Sequence, residues 1–343
     1  MMNDIRHSGL AVALAWPETF CKQPGSWYDG LISRLGPNRY NYYRAGHAAV
    51  VLVDIENKEN HYFDFGRYHA PFQHGRARSG ETDHDLKMRT IPEISADGKT
   101  LLNYDEILEE LQFNAACHGE GKLYASYAHV NFQRSYNAAI KIQHQSPVPY
   151  GPFVINGSNC SRFVNTVIRA GKPALRHRLR LKYFVPFTPT PMNNVNSLLH
   201  KRVVPVIRET KPFKPFRWLS NEEKQATLPS PERHASIPEN AHWLSGEGAG
   251  SWFALEVLKG QLLVTRFGPD GTVECKGFFD SNDDLDAKVI TSLAASEAYA
   301  VDHLSNCKQI TLRNSLGEVF YFIRTTRHLQ RLFSDTKKEM AWA

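Results

Sequence analysis

Asn156-Gly157-Ser158-Asn159-Cys160-Ser161-Arg162-Phe163-Val164 is the stretch that decides how this chain reads. Downstream of Cys160, apolar side chains fall at Phe163, Val164, Val167 and Ile168. Those positions share one face of an α-helix. Ser158 is a suitable N-cap, Gly171 a suitable residue just past the end, and Pro173 a stop. The spacing therefore predicts a helix with Cys160 in its first turn. Unpaired N–H groups and the positive end of the helix dipole stabilise a thiolate there, and the thiolate is the reactive form of cysteine. The competing reading is a small buried core residue, because Cys160 also continues the apolar face.

Upstream, Gly46-His47-Ala48-Ala49-Val50-Val51-Leu52-Val53 is short, apolar and β-branched. It reads as a buried strand with His47 at its entry. Asn57-Lys58-Glu59-Asn60 is a polar turn, and Tyr62-Phe63-Asp64-Phe65-Gly66 reads as the returning strand of a hairpin. An antiparallel register can bring Asp64 to the end and face that carry His47. Cys160 for attack, His47 as base and Asp64 to orient the ring would make a nucleophile–base–orienter set. A histidine at a strand entry can equally be a structural core residue, and Asp64 can equally point to solvent.

The pair Gly46-His47-Ala48 with its apolar hairpin, followed over a hundred residues later by Asn159-Cys160-Ser161-Arg162-Phe163-Val164, resembles the circularly permuted NlpC/P60 papain-like group. That group includes the lecithin:retinol acyltransferase-like proteins. In ordinary papain-like enzymes the Cys helix precedes the His strand; in the permuted group, as here, the His strand comes first. The resemblance covers roughly residues 40–172. It implies Cys160 as nucleophile, His47 as base and a polar third residue on the strand after His47. Asp64 fits that slot, with His61 as the competitor. The run Tyr62–Tyr68 is not a general family motif, so the substrate does not transfer.

The length and composition set the outer bounds. At 343 residues the chain is long enough for two cores. Its 42% hydrophobic and 22% charged residues are ordinary for a globular protein. No apolar run approaches the ~18 residues of a membrane span. Leu10–Trp16 is apolar but short, and without a basic start it reads as a strand, not a signal peptide. Five scattered cysteines, at 21, 117, 160, 275 and 307, include no CxxC pair, which argues against a disulfide framework or zinc finger. A reduced, cytoplasmic protein is the simplest expectation.

Three domains are expected: a catalytic domain over 1–172, a Pro-rich basic connector over 173–238, and a small α+β module over 239–343. The first carries helices near Tyr104–Asn114 and Asn131–Gln143, a strand at Lys122–Tyr127 and a Gly/Arg-rich loop. The connector is expected to be extended, because proline blocks helix interiors and central strands. The module carries strands at Trp252–Leu258, Gln261–Phe267 and Val273–Phe279, a helix near Leu285–Val301, and a hairpin of Gln309–Arg313 and Val319–Arg324. The fold class is thus α+β: a permuted papain-like domain of antiparallel sheet and packed helices, plus the module.

Charge is uneven. From Arg169 to Arg217 there are twelve Lys or Arg and one acid, Glu209, in a chain of net charge +6. Tyr183, Phe184, Phe187, Phe213 and Phe216 lie among them. Nucleic-acid or anionic-lipid binding can use such a composition. The preferred expectation is a strap with rings packed and charges solvated. Gly246-Glu-Gly-Ala-Gly250 precedes a strand instead of following one, which argues against a dinucleotide fingerprint. Asp280-Ser-Asn282-Asp-Asp284 lacks the glycine and closing glutamate of a calcium loop. His69, His74, Asp83 and His84 could ligate a metal but match no template.

The expected function is a thiol hydrolase, amidase or peptidase, or an acyltransferase, acting on an amide, ester or thioester without metal or cofactor. Its partner would be a small-molecule, peptide or acyl substrate, with nucleic acid not expected. The alternatives are a binding module on the same fold, or an adaptor for anionic ligands or nucleic acid through the basic connector.

Overall fold

The computed structural model describes residues 7–23, 25–26, 29, 38–185, 188–206, 213–258, 261–281, 290, 292 and 299–325. It divides into two compact units, the first made of residues 1–80, 85–228 and 246–249, the second of 81–84, 229–245 and 250–343.

The first unit is built on an antiparallel sheet. Its strands are β1 (Gly9–Trp16), β2 (His47–Asp54), β3 (Glu59–Gly66), β4 (His74–Ser79), β5 (Leu123–Val130), β6 (Val148–Pro149) and β7 (Leu199–Val204). Their spatial order is β7-β5-β1-β2-β3-β4-β6. β1 and β2 are central and buried at every position, which is why both read as unbroken apolar runs. One face of the sheet packs Ala48, Val50, Phe63 and Phe65 against Phe163, Val164, Val167 and Ile168. The other packs Val12, Val51 and Tyr62 against Ile107, Leu108 and Leu111. The helices are α1 (Tyr104–Phe113), α2 (Phe132–Gln145) and α3 (Cys160–Ala170); α3 and α1 supply these residues, and α2 adds Ala139 to the first face. Asn131, whose side chain accepts from Arg134 N–H, caps α2.

The expected extended connector is a correction. Leu175–Tyr183 forms α4, Pro191–Asn196 forms α5, and β7 joins the main sheet beside β5. Pro191 does not break α5 because it stands at its first position, where no N–H is needed, inside a capping box of Thr190 and Asn193. The rings are not packed away either: Tyr183, Phe184, Phe213 and Phe216 are exposed. Phe187 lies outside the described residues. The Gly/Arg-rich loop is a second correction, since His74–Ser79 is a strand that buries Arg76 and Arg78.

The second unit is a twisted antiparallel sheet of β8 (His242–Leu244), β9 (Ser251–Leu258), β10 (Gln261–Phe267), β11 (Val273–Ser281), β12 (Tyr299–Val301), β13 (Gln309–Asn314) and β14 (Val319–Arg324). The order is β8-β9-β10-β11-β14-β13-β12. Phe253, Leu262, Val264, Phe279, Ile310, Leu312 and Phe322 form its core. Of the helix expected over 285–301, residues 285–289, 291 and 293–298 lie outside the described residues, and Tyr299–Val301 is strand. Residues 282–284 of the acidic motif also lie outside them. The fold class is α+β with antiparallel sheets, as the sequence predicts. No described helix is long and apolar enough to cross a membrane.

Candidate active site

Cys160 opens α3, a buried position where the chain turns out of an extended segment. The cap is Asn159, not Ser158: the Asn159 side chain accepts from Arg162 N–H at 2.8 Å. Ser158 instead bridges Tyr150. Gly171 ends the helix with φ −72°, so no left-handed turn calls for it. A Cβ there would come within 2.2 Å of Ser135 Oγ and 2.7 Å of Val130 Cβ; glycine is needed for close packing. The other end of the helix is braced by buried amides. Asn165 donates to Leu181 O and to Asn194, and Asn194 donates to Ser161 O.

His47 begins β2 and is buried beneath Trp16, whose ring stacks on it at 5.8 Å. Trp16 is itself held by Gln112, which accepts from its indole N–H at 2.8 Å. Across the hairpin Asp64 stands opposite Ala49. It is thus on the same pleat face as His47, displaced by one diagonal step. His47 Nε2 lies 3.4 Å from Asp64 Oδ2, an ion-pair contact that stops short of a hydrogen bond. The structure thus brings Asp64, not His61, to His47. His61 points elsewhere on β3, 3.2 Å from Glu59 and edge-on to Tyr136.

Cys160 and His47 lie close enough for each to shift the other's proton affinity. Burial opposes a charge on His47, but Asp64 and Cys160 outweigh it and raise the imidazole to about 9. Burial likewise raises the Cys160 thiol, but His47, the Ser161 hydroxyl and the Ala48 N–H bring it below its ordinary value. Both shifts favour a thiolate–imidazolium pair. For Asp64, burial is outweighed by Arg78 and His47, and the carboxyl is held well below the usual range.

Two buried charged residues, one at the site and one away from it, carry no signal in the local sequence. Arg78 grips Asp64 through Nε–Oδ1 at 2.9 Å and Nη2–Oδ2 at 2.5 Å, and Tyr62 donates to Oδ2 at 3.1 Å. Arg78 also lies over the Tyr68 ring at 3.9 Å. Only the register of a third strand, Asp64 opposite Arg78, brings it there. The second is Glu247, from the glycine-rich run that does not fit a nucleotide motif. It pairs with Arg67 at 2.8 Å and accepts from Gln73 N–H at 3.0 Å. Its glycines allow close approach: a Cβ on Gly246 would meet Arg67 O at 2.5 Å, and one on Gly248 would meet Tyr68 at 3.0 Å. The four metal-capable side chains have separate partners. Arg76 meets His69 at 3.0 Å, Phe72 O meets His74 at 2.9 Å, Arg266 meets Asp83 at 2.9 Å, and Arg324 meets His84 at 3.4 Å.

Residues 11–175 match the family model described as type VI secretion system effector TseH-like. Residues 241–325 match that of the DUF6695 C-terminal domain. No curated relative matches the chain. Among solved structures, the crystal structure of the type VI secretion system effector TseH is similar at TM-score 0.36 and 17% identity, over 55% of this chain and 87% of that one.

Proposed function

We propose that the first unit is a thiol hydrolase of the papain-like NlpC/P60 kind in circularly permuted order, and that the chain serves as a type VI secretion effector. The observation that carries the chemistry is the buried Cys160–His47–Asp64 set, with a charge pattern that favours the thiolate. The matched effector family spans both His47 and Cys160, which supports the effector role. The order of His strand before Cys helix supports the permutation.

In this reading the Cys160 thiolate attacks the carbonyl of an amide, ester or thioester. His47 Nε2 faces Asp64, so the imidazolium delivers the proton taken from the thiol to the leaving group from Nδ1. N–H groups in the first turn of α3 receive the oxyanion. Water then completes hydrolysis, or an acceptor completes transfer. All five cysteines are free thiols, which supports folding in a reducing cytoplasm. The burial of Cys160, 7% exposed, is the observation that favours the rival reading of a binding module.

Acylation separates the two. Incubation with a p-nitrophenyl ester, followed by peptide mapping, should place one acyl group on Cys160 and release nitrophenol in a burst. The burst should vanish in Cys160→Ala. Turnover that survives Cys160→Ala, or no acylation of a folded protein, would remove the hydrolase reading.

A further inference from the structure

Helix α4 has the sequence Leu175-Arg-His-Arg-Leu-Arg-Leu-Lys-Tyr183 and turns only His177 and Leu181 inward. At about 100° per residue, the direction opposite those two falls on Leu179, with Leu175 and Tyr183 beside it. These three are 42%, 64% and 62% exposed, and Phe184, which follows, is 75% exposed. Cations flank the stripe on both sides, Arg178 and Lys182 along one edge, Arg176 and Arg180 along the other. No acid occurs anywhere between Arg169 and Phe184. Among the described residues, none of Arg134, Arg169, Lys172, Arg178, Arg180 and Lys182 has a carboxylate partner. A cleft of about 570 Å³ opens beside the start of the helix, lined by His7, Asn131, Arg134, Lys172, Leu175 and Arg178.

We propose that this face docks the protein on an anionic lipid bilayer. The leucines and rings enter the acyl boundary, and the flanking cations meet head-group phosphates, one of them at the mouth of the cleft. The arrangement fits an interfacial helix, apolar at its outermost line and basic on its shoulders. A nucleic acid would use the cations and could stack on the rings. It would have no use for two leucines at the centre of the face, and burying them against phosphates would cost free energy. Acyl chains supply the missing apolar partner. The location is independent of the thiol chemistry, so the two readings stand or fall separately.

Vesicle sedimentation of the full chain tests this. The protein should pellet with equimolar phosphatidylglycerol and phosphatidylcholine, and stay in solution with phosphatidylcholine alone. Leu175→Ser with Leu179→Ser, and separately Arg178→Gln with Lys182→Gln, should each weaken binding about tenfold or more, with melting unchanged because all four side chains lie on the surface. A Phe184→Trp protein supplies a readout that does not depend on those variants. Its emission, after subtraction of the wild-type spectrum, should shift to the blue with anionic vesicles only. Failure of the wild type to bind anionic vesicles overturns the proposal, as does an unshifted emission from the Phe184→Trp protein. So does a leucine variant that binds as the wild type does. Tighter binding to duplex DNA or RNA, retained by the leucine variant, would assign the face to nucleic acid instead.

Discussion

Asp64 Oδ2 stands 3.4 Å from His47 Nε2, while Arg78 holds both oxygens of the same carboxylate. The aspartate is therefore a shared anion between two buried cations, and it can orient the ring without itself taking a proton. Removing it uncovers Arg78 as well as His47.

Asp64→Ala should destabilise the protein by about 3–5 kcal/mol, the range for breaking a buried pair from one side. Asp64→Asn keeps the shape but not the charge and should cost less. Both should slow alkylation of Cys160 near neutral pH. Urea unfolding and thiol kinetics measure the two effects. An Asp64→Ala protein as stable as the wild type would show that Arg78 does not depend on this carboxylate.

Cys160 should be the most electrophile-reactive of the five thiols. Cys21 is its instructive control, because burial, with help from Cys160 and against Arg67, pushes its thiol up to about 12. Limiting iodoacetamide near neutral pH, followed by peptide mapping, should label Cys160 well before Cys21, Cys117 or Cys275. Equal labelling would take away the physical basis of the nucleophile assignment.

The pH dependence has a definite sign. His47 has a folded pKa of about 9 against an ordinary 6.5. Its charged form therefore contributes stability that is complete below about 6.5 and lost as pH rises through about 9. The stability gap between the wild type and His47→Gln should shrink across that window. Asp64 works in the opposite sense: its contribution is present above the ordinary carboxylate range and lost only as pH falls well below it. Cys160 alkylation should persist at pH values where an ordinary thiol is protonated, and His47→Ala should abolish that persistence. A gap that is constant from pH 6 to 10 would mean that His47 is not charged in the folded state.

What is legible in the sequence is local. The spacing of Phe163, Val164, Val167 and Ile168 predicts α3, and the apolar run after His47 predicts β2. Asp64 is within reach because a hairpin is nearly local and its register follows from the short turn. Arg78 and Glu247 are not, because each depends on a pairing that no short window encodes. Arg78 sits in a stretch with the composition of a polar loop, yet it is buried against a charge that lies 14 residues earlier. Helix α4 is hidden for a different reason. It carries leucines on both its inner and outer faces, so no single apolar stripe marks it. The capping signal Thr190-Pro191 is present, but its proline dominates the reading of the segment. The close approach of Gly246 and Gly248 to residues 67–68 shows only in three dimensions.

The second unit holds its own test of buried charge. Arg266 is 3% exposed and lies between two carboxylates. Its Nη1 meets Asp83 Oδ1 at 2.9 Å, and its Nε contacts Glu274 and, at 3.2 Å, Ser251 Oγ. Ser251 in turn donates to Glu274 at 2.8 Å. Arg266→Met would keep the volume and leave two acids facing each other without a cation. The expected loss is about 3–5 kcal/mol, and it should diminish in acid as the stranded carboxylates protonate. Arg313, paired with Asp302 at 2.8 Å on the surface, is the comparison: Arg313→Gln should cost under about 1 kcal/mol. Denaturant unfolding of both variants at neutral and acidic pH decides the matter. Equal small losses would mean that the buried arginine is held by packing alone, and that Asp83 and Glu274 find other partners when it is gone.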